Sequence, residues 1–456
     1  MSPMNVSTPV LYGSTLALLL CTSAMAAVSP EEAARLGTTL TPLGAEKAGN
    51  AEGSIPAWTG GLPKTAGAVD SAGFLADPFA NERVLFTITA QNVEQYQKNL
   101  SPGQVAMFKR YPDYTMNVYP THRSVSVPPA IVEAARKNAL NTQLVAGGNG
   151  LEGFTKAYPF PIPKTGLEVI WNHLTRYRGD SMKRQMVQIV PDVRGVGTPV
   201  TFDHLYAVRE SLADYDSAKP SNVLFYNKQT ITAPARLAGN VELVHETLDQ
   251  VKEPRQAWIY NAGQRRVRRA PQVAYDGPAA STDGQRVVDN YDMFNGAPDR
   301  YDWQLVGKQE LYIPYNSYKL DSPRLKYADI TQAGHIDQGL ARYELHRVWH
   351  VVATLKPGQR HVYAKRDFYI DEDSWQAAVI DHYDGRNTLW RVAEAHQQSY
   401  YNHQVPFYTA ETLNDMISGR YLVLGLKNEE KRSYQFDVKA VESEFTPNAL
   451  RQSGVR

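Results

Sequence analysis

Cysteine is almost absent from this chain. Cys21 is the only one in 456 residues. It sits in an N-terminal stretch that reads as a removed leader, so the mature chain is expected to have no thiol nucleophile, thiolate metal site or disulfide. A charge excess is also missing: 48 Lys and Arg face 47 Asp and Glu, for a net charge of +1. No global basic field draws a polyanion, and nucleic acid is not an expected partner. After residue 26 no apolar run reaches transmembrane length, so the mature chain is expected to be soluble and at most peripheral to a membrane. There is no G-x-S-x-G, no Walker loop and no H-E-x-x-H. "GGNG" at 147–150 is not followed by Lys-Ser or Lys-Thr and reads as a loop. No carboxylate pair stands out as a glycosidase dyad. The expectation is a protein without catalytic residues, cofactor or metal.

The first 26 residues carry an address. "LYGSTLALLL" (Leu11 to Leu20) is an apolar run too short for a comfortable span, and Ala24 and Ala26 form an A-x-A cleavage signal. The segment before the run lacks Lys and Arg, which departs from the usual pattern. Leu20 before Cys21 does not suit lipoprotein processing. An exported, periplasmic chain is expected, and the missing thiol suits an oxidising compartment.

The rest, at 43% hydrophobic and 21% charged residues, has a globular composition. Residues 27 to about 85 are rich in Gly, Pro, Ala and Thr, with Trp58 and Phe74 as scattered anchors. Short helices are expected at "QNVEQYQKNL", at "SPGQVAMFKRY" with Ser101 as cap and Pro102 in the first turn, at "VPPAIVEAARKNAL" behind Pro128 and Pro129, and at "TGLEVIWNHLTRYRG". From about Met186 the apolar period changes from 3.6 to 2. Strands are expected at "MVQIV", "VTFDHLYAV", "NVLFY", "VELVHETL", "QAWIY", "YELHRVWHVVATL", "HVYAKRDFYI", "SWQAAVIDHY" and "TLWRVAE", joined by short turns. The fold class is therefore α+β, with a large antiparallel sheet. The expected divisions are a signal peptide at 1–26, a helical and irregular region at 27–165, a sheet domain at 166–446 and a tail at 447–456.

Leu345 to Glu394 permits a register argument. A four-residue loop at Lys356–Gln359 sets Leu355 opposite Arg360, Ala353 opposite Val362, Trp349 opposite Arg366 and Arg347 opposite Phe368. One face is then largely apolar, and a one-residue slip would place that set against polar residues. Turns at Asp371–Ser374 and Asp384–Asn387 extend the face with Trp375, Ala377, Val379, Asp381 and Tyr383, then Thr388, Trp390, Val392 and Glu394. The other face, with His346, His350, His361, Lys365, Asp367, Gln376 and His382, is more polar. Arg347, Arg366, Asp381 and Glu394 interrupt the apolar face, where an unpaired charge costs roughly several kcal/mol. Two readings stay open. One is a structural network in which Arg366 meets Trp349 by cation–π contact and Asp381 by ion pairing. The other is an apolar cavity whose arginines hold the head group of an amphipathic ligand. On the second, the candidate contacts are Trp349, Phe368, Trp375, Trp390, Arg347, Arg366 and Asp381, joined by Trp258 and Tyr260 from "QAWIYNAGQRRVRR".

In that last hairpin, strand parity puts Arg265, Val267 and Arg269 on one face and Arg266 and Arg268 on the other. The turn length decides which set Trp258 and Tyr260 join. The arginines could pair with Glu242, Glu246, Asp249 and Glu253, or meet lipid phosphates or an acidic partner. His346 and His350, roughly 13 Å apart along a strand, cannot share an ion by themselves. "DEDS" lacks the ordered ligand spacing of a calcium loop and reads as a hairpin turn.

Several long segments are distinctive: "VKEPRQAWIYNAGQRRVRRAP", "YDMFNGAPDRYDWQLVGKQELYIPYNSY", "RYELHRVWHVVATLKPGQRHVYAKRDFYIDEDSW" and "NVYPTHRS". Through them nearly the whole mature chain resembles a proteobacterial exported family that is described as a domain of unknown function and labelled outer-membrane lipoprotein-sorting-like. That family is similar to the lipoprotein carriers LolA and LolB. The resemblance implies an incomplete antiparallel β-barrel, with helices packed against it, around a cavity for acyl chains. It also implies a lipid-like or hydrophobic ligand and, as protein partner, an RND-type transporter or an outer-membrane protein. The long N-terminal region has no counterpart in LolA. The expected function is a periplasmic binding or transfer protein. The alternatives are an assembly subunit of an envelope complex without a ligand and, third, a hydrolase of envelope lipid or glycan.

Overall fold

The computed structural model describes residues 28–454 apart from 271, 272 and 274. The expected signal peptide, with Cys21, lies outside the described residues. No helix among the described residues is long and apolar enough to cross a membrane.

Helix α1 (Pro30–Ala33) is a single turn. Helix α2 (Pro102–Arg110) starts as its sequence requires. The Ser101 hydroxyl accepts from the Gln104 N–H, the Gln104 side chain accepts from the Ser101 N–H, and Pro102 needs no donor partner in the first turn. Helix α3 (Pro129–Asn141) follows the paired prolines. Helix α4 (Gly166–Thr175) has a second capping box, Thr165 with Glu168, and its residues are buried from Glu168 through Thr175. "VEQYQKN" forms a 3-10 helix, Val93–Asn99. Helices α5 (Tyr327–Ile330) and α6 (Pro447–Gly454) complete the set. The stretch expected as a tail thus carries α6, which packs on the sheet through Leu450.

Strands β1 (Phe86–Ile88) and β2 (Met116–Val118) come from the N-terminal region and join the main sheet. Strands β3 (Gln143–Leu144) and β4 (Leu151–Glu152) make a small separate hairpin. Gly148 and Gly150 in its connection, with Gly153 just after β4, satisfy G-x-G-x-x-G as a string. Set in a hairpin and not in a strand-to-helix turn, the match is not a dinucleotide site. The main sheet continues with β5 (Ser181–Ile189), β6 (Val200–Val208), β7 (Val223–Ala233), β8 (Val241–Thr247), β9 (Gln256–Asn261) and β10 (Arg266–Arg269). Then come β11 (Tyr301–Pro314), β12 (Tyr343–Leu355), β13 (Lys365–Asp371), β14 (Ala377–Tyr383) and β15 (Leu389–Tyr400). Last are β16 (Val405–Asp415), β17 (Tyr421–Leu426) and β18 (Gln435–Phe436).

Sixteen strands form one sheet, ordered β1-β2-β12-β13-β14-β15-β16-β17-β5-β6-β7-β8-β9-β10, with β11 beside β12 and β18 beside β5. It is antiparallel except where β2 meets β12. Among the described residues β1 and β10 do not pair, so the sheet stays open. One face, called inner here, is covered by α4 and by the long connection between β10 and β11. The other, outer face carries α2 over β14 and β15 and α6 over β8 to β10. Strands β11, β16 and β17 escape a search for alternation. In β16 all eleven residues are buried, because both faces are covered.

The expected register holds its parity but not its pairing. The β12–β13 connection runs from Lys356 to Ala364, so Ala353 faces Arg366 and Trp349 faces Ile370. The displacement is four residues, an even number, and the apolar set stays on the inner face. Two bulges then break the pattern. An extra residue near Ala378 in β14 turns Val379 and Asp381 outward and Ile380 and His382 inward. A second, between His382 and Tyr383, leaves Trp390 out of step. The face expected to be more polar is also buried: His346, Asp367, Gln376 and His382 are all interior.

Candidate functional site

The inner face is divided. Over β11 to β15 it is filled. Phe294 from the β10–β11 connection meets Phe368 with ring centroids 5.4 Å apart, Trp303 meets Phe368 at 5.5 Å, and α4 contributes Val169 and Ile170 to the same cluster. Over β5 to β10 and β17 space remains, as a cavity of about 580 Å³. That is within the roughly 300–1,000 Å³ typical of small-molecule sites.

The cavity follows from strand parity. Phe202 on β6 pairs with Met186 on β5 and Ile231 on β7. Asn227 pairs with Val244, Gln229 with Glu242, and Glu242 with Ile259. All of these line the cavity, as does Leu424 of β17. The roof is the connection from Val273 to Arg300. Arg255 ties down both of its ends: Nη1 donates to the Val273 carbonyl at 2.8 Å and Nη2 to the Asn295 carbonyl at 2.6 Å, while Nε donates to Glu246 at 3.0 Å. Asp292 is clamped by Arg176 and Arg178. Asp289 takes Arg366 and, at 2.9 Å, His361. Burial works against the Asp289 carboxylate, but Arg366 and His361 outweigh it and hold its pKa at about 2. Arg391 donates to the Gly284 carbonyl at 2.9 Å. Roof and sheet are joined by side-chain ion pairs and hydrogen bonds in place of a strand ladder.

Charge in the cavity is uneven. Arg255, Arg268, Arg269 and Arg286 line it against Glu242 alone. Burial pushes the Glu242 carboxyl up, against the opposing pull of Arg286 and Arg255. Arg286 has Nε and Nη1 shut from solvent with no hydrogen-bond partner among the described residues. Glu411, opposite the cavity residue Leu424, is buried and pushed up to about 7, first by burial and then by the Asp292 carboxylate.

None of the nine expected ligand contacts lines this cavity. Trp375 is fully buried, donates from its indole N–H to the Leu43 carbonyl at 2.9 Å and stacks on Trp349 at 6.1 Å. Phe368 is in the filled core. Arg366 pairs with Asp289, not with Asp381, and its guanidinium lies over Phe294, Tyr301 and Tyr363 at 5.0–5.2 Å, not over Trp349. The cation over Trp349 is Lys308, at 4.7 Å. Asp381 is on the outer face, where it accepts from the Ser101 hydroxyl at 3.1 Å and the Gly103 N–H at 2.8 Å. Arg347 pairs with Glu372 at 3.1 Å and donates to the Ala48 carbonyl. Trp390 donates to Asp415 at 2.9 Å. Trp258 and Tyr260 face the α6 side of the sheet.

In the hairpin, Arg266 and Arg268 pair with Asn261 and Ile259, while Val267 and Arg269 pair with Tyr260 and Trp258. Directly opposed residues share a face, so Arg268 is on the cavity side. Arg265 has φ 52° and sits in the turn. None of these four arginines has an ion-pair partner among the described residues. Glu246, an expected partner, is taken by Arg255 at 2.8 Å.

One group could be tested for a metal. Ligand atoms of His346, Asp371 and Asp373 lie within 4.8 Å of one another. Arg123 already bonds both Asp373 oxygens, at 2.7 and 2.9 Å. Asp371 accepts from Tyr315 and Ser374, and burial with the Asp373 charge raises it to about 6. Arg123 supplies the positive charge that an ion would, so the group serves as a buried tie between the N-terminal region and the "DEDS" turn.

Sequence reasoning missed Phe202, Ile231, Glu242, Val244 and Arg286. Alternation in "VTFDHLYAV" and "VELVHET" points inward at some of them. The roof had its own signal: a run of about thirty residues rich in Gly, Pro, Asp and Asn, a length uncommon for a loop in compact domains unless it is functional.

An open antiparallel sheet with helices on both faces and a roofed, apolar-walled cavity defines the class. Over residues 87–451 the chain matches the family described as "Protein of unknown function (DUF1329)", and it belongs to that family. It is 68% identical over 455 residues to Uncharacterized protein PA3922 of Pseudomonas aeruginosa, spanning 99% of this chain and 100% of that one. Among solved structures, it is similar to a putative outer membrane lipoprotein-sorting protein domain from Vibrio parahaemolyticus. There the TM-score is 0.43 at 12% identity, over 63% of this chain and 98% of that one. It is also similar to a DUF1329 family protein from Desulfovibrio piger, with TM-score 0.41 and 14% identity over 60% and 92% of the two chains. At these scores the superpositions add no argument about function.

Proposed function

We propose that this protein is a periplasmic binding or transfer protein for a lipid-like or otherwise hydrophobic ligand, with the ligand in the cavity over β5 to β10. The observation that carries the reading is a cavity of about 580 Å³ walled by Met186, Phe202, Phe225, Ile231, Val244 and Leu424. Burying about 200 Å² of hydrocarbon there is worth about 5 kcal/mol. Work of this kind needs no catalytic group. The leader-like N-terminus supports the periplasm, and the family resemblance supports an RND-type exporter or an outer-membrane protein as partner.

The test is uptake of the apolar dye phenylnaphthylamine, followed by fluorescence. Val244 is half-buried, lines the cavity and points away from α6. Val244→Trp fills the space and should weaken dye binding about tenfold or more. A wild type that takes up no dye, or a folded Val244→Trp protein that binds as before, refutes the reading and favours the ligand-free assembly subunit.

A further inference from the structure

The cavity walls are apolar, but its charge is one-sided. Of the four lining arginines, Arg255 is taken up by Glu246. Arg268 and Arg269 are exposed on the edge strand β10, where water solvates them. Arg286 is different. It projects from the roof arm closed by the Pro278–Val287 bridge, and two of its nitrogens are sequestered without an acceptor. Gln285, the next residue in the chain, also has its Oε1 shut from solvent without a partner among the described residues. Arg286 is half-buried, and guanidinium N–H groups shut from water are disfavoured unless an acceptor meets them. Glu242, the one acid lining the cavity, forms no ion pair with it.

We propose that the cavity selects an amphiphile with an anionic head, a carboxylate or a phosphate monoester, that Arg286 receives while the tail lies along Met186, Phe202, Ile231 and Val244. The proposal rests on the carrier reading above and adds the class of ligand. A cationic head would meet the unpaired arginines. A neutral head would leave the Arg286 guanidinium unanswered. An anion supplies the missing acceptor, and both head groups carry oxygens that accept from a guanidinium N–H.

The experiment competes matched dodecyl ligands against phenylnaphthylamine on the full mature chain: dodecanoate, dodecyl phosphate and dodecanol. Wild type should bind at least one of the anions about tenfold or more tightly than the alcohol. Whichever anion is preferred identifies the head group. Arg286→Gln should bring the anions to within about twofold of the alcohol, each competition being read against that variant's own dye affinity. Arg286→Met, which keeps the length of the stem, is run beside it in case one variant fails to fold. Arg265→Gln, in the exposed hairpin turn outside the cavity, should keep the preference. Equal competition by anions and alcohol in wild type, or a preference that survives in a folded Arg286 variant, overturns the head-group assignment and leaves the carrier reading intact. Failure of wild type to bind the dye overturns the carrier reading itself.

Discussion

Asp381 offers a perturbation whose size can be worked out. Its carboxyl is fully buried beneath the first turn of α2, with donors only from Ser101 and Gly103. No cation pairs with it among the described residues. Burial, with smaller contributions from the Asp367 and Glu394 charges, moves its pKa from the ordinary 3.8 to about 7, against the pull of the two donors. The folded protein therefore holds a proton there that the unfolded chain releases above about pH 4. Stability from this group is fully present below the unfolded pKa and is lost as pH rises toward 7. At about 1.4 kcal/mol for each tenfold step, the loss is bounded at about 4 kcal/mol. Asp381→Asn copies the neutral acid: its carbonyl can accept from Gly103 and its amide can donate to a rotated Ser101 hydroxyl. Urea unfolding of both proteins at about pH 5 and about pH 8 is the assay. Near pH 5 the variant should already be the more stable by about 1–2 kcal/mol, and near pH 8 by about 4 kcal/mol, so its advantage grows by about 2–3 kcal/mol between them. Glu411 and Asp371 titrate with the same sign in both proteins, so they cancel from the difference. A difference that does not change between the two pH values refutes the argument, because the carboxyl would then titrate alike folded and unfolded.

Two further substitutions test the packing around these groups. Gly103→Ala would put a methyl group 2.0 Å from Asp381 Oδ1 and 2.8 Å from Val392 Cγ2, so it should cost about 1–3 kcal/mol or more in urea unfolding despite better helix propensity. Arg366→Leu strands Asp289 and His361 in the interior and should cost about 3–5 kcal/mol. Dye affinity per folded molecule should fall, because the lost Arg366–Asp289 pair is one of the ties that hold the cavity roof to the sheet.

Local chemistry was legible wherever it acts over a few residues. Ser101 with Pro102 and the paired prolines at 128 and 129 marked two helix starts, and both helices are found there. Period-2 alternation from Met186 onward marked the strands that have one solvated or half-open face, such as β6 and β8. It failed for β16 and β17, where both faces are covered and polar side chains are buried as readily as apolar ones. The hairpin arginines show the same limit. Parity alone divided Arg266 and Arg268 from Arg269, but only the observed turn puts Arg268 on the cavity side and Trp258 behind it.

Periodicity and capping alone established an α+β chain with a large antiparallel sheet, and showed that inward arginines must find partners or a ligand. Composition, periodicity and capping are local quantities, and burial makes an unpaired charge costly wherever it lies. Only the tertiary structure decided which partner each charge takes. Arg366 found Asp289 from a loop 77 residues away, and a single-residue bulge at Ala378 moved Asp381 to the opposite face. It also decided where the sheet is filled and where it is hollow. Those outcomes depend on how one long loop crosses the sheet, and strand periodicity carries no information about that path.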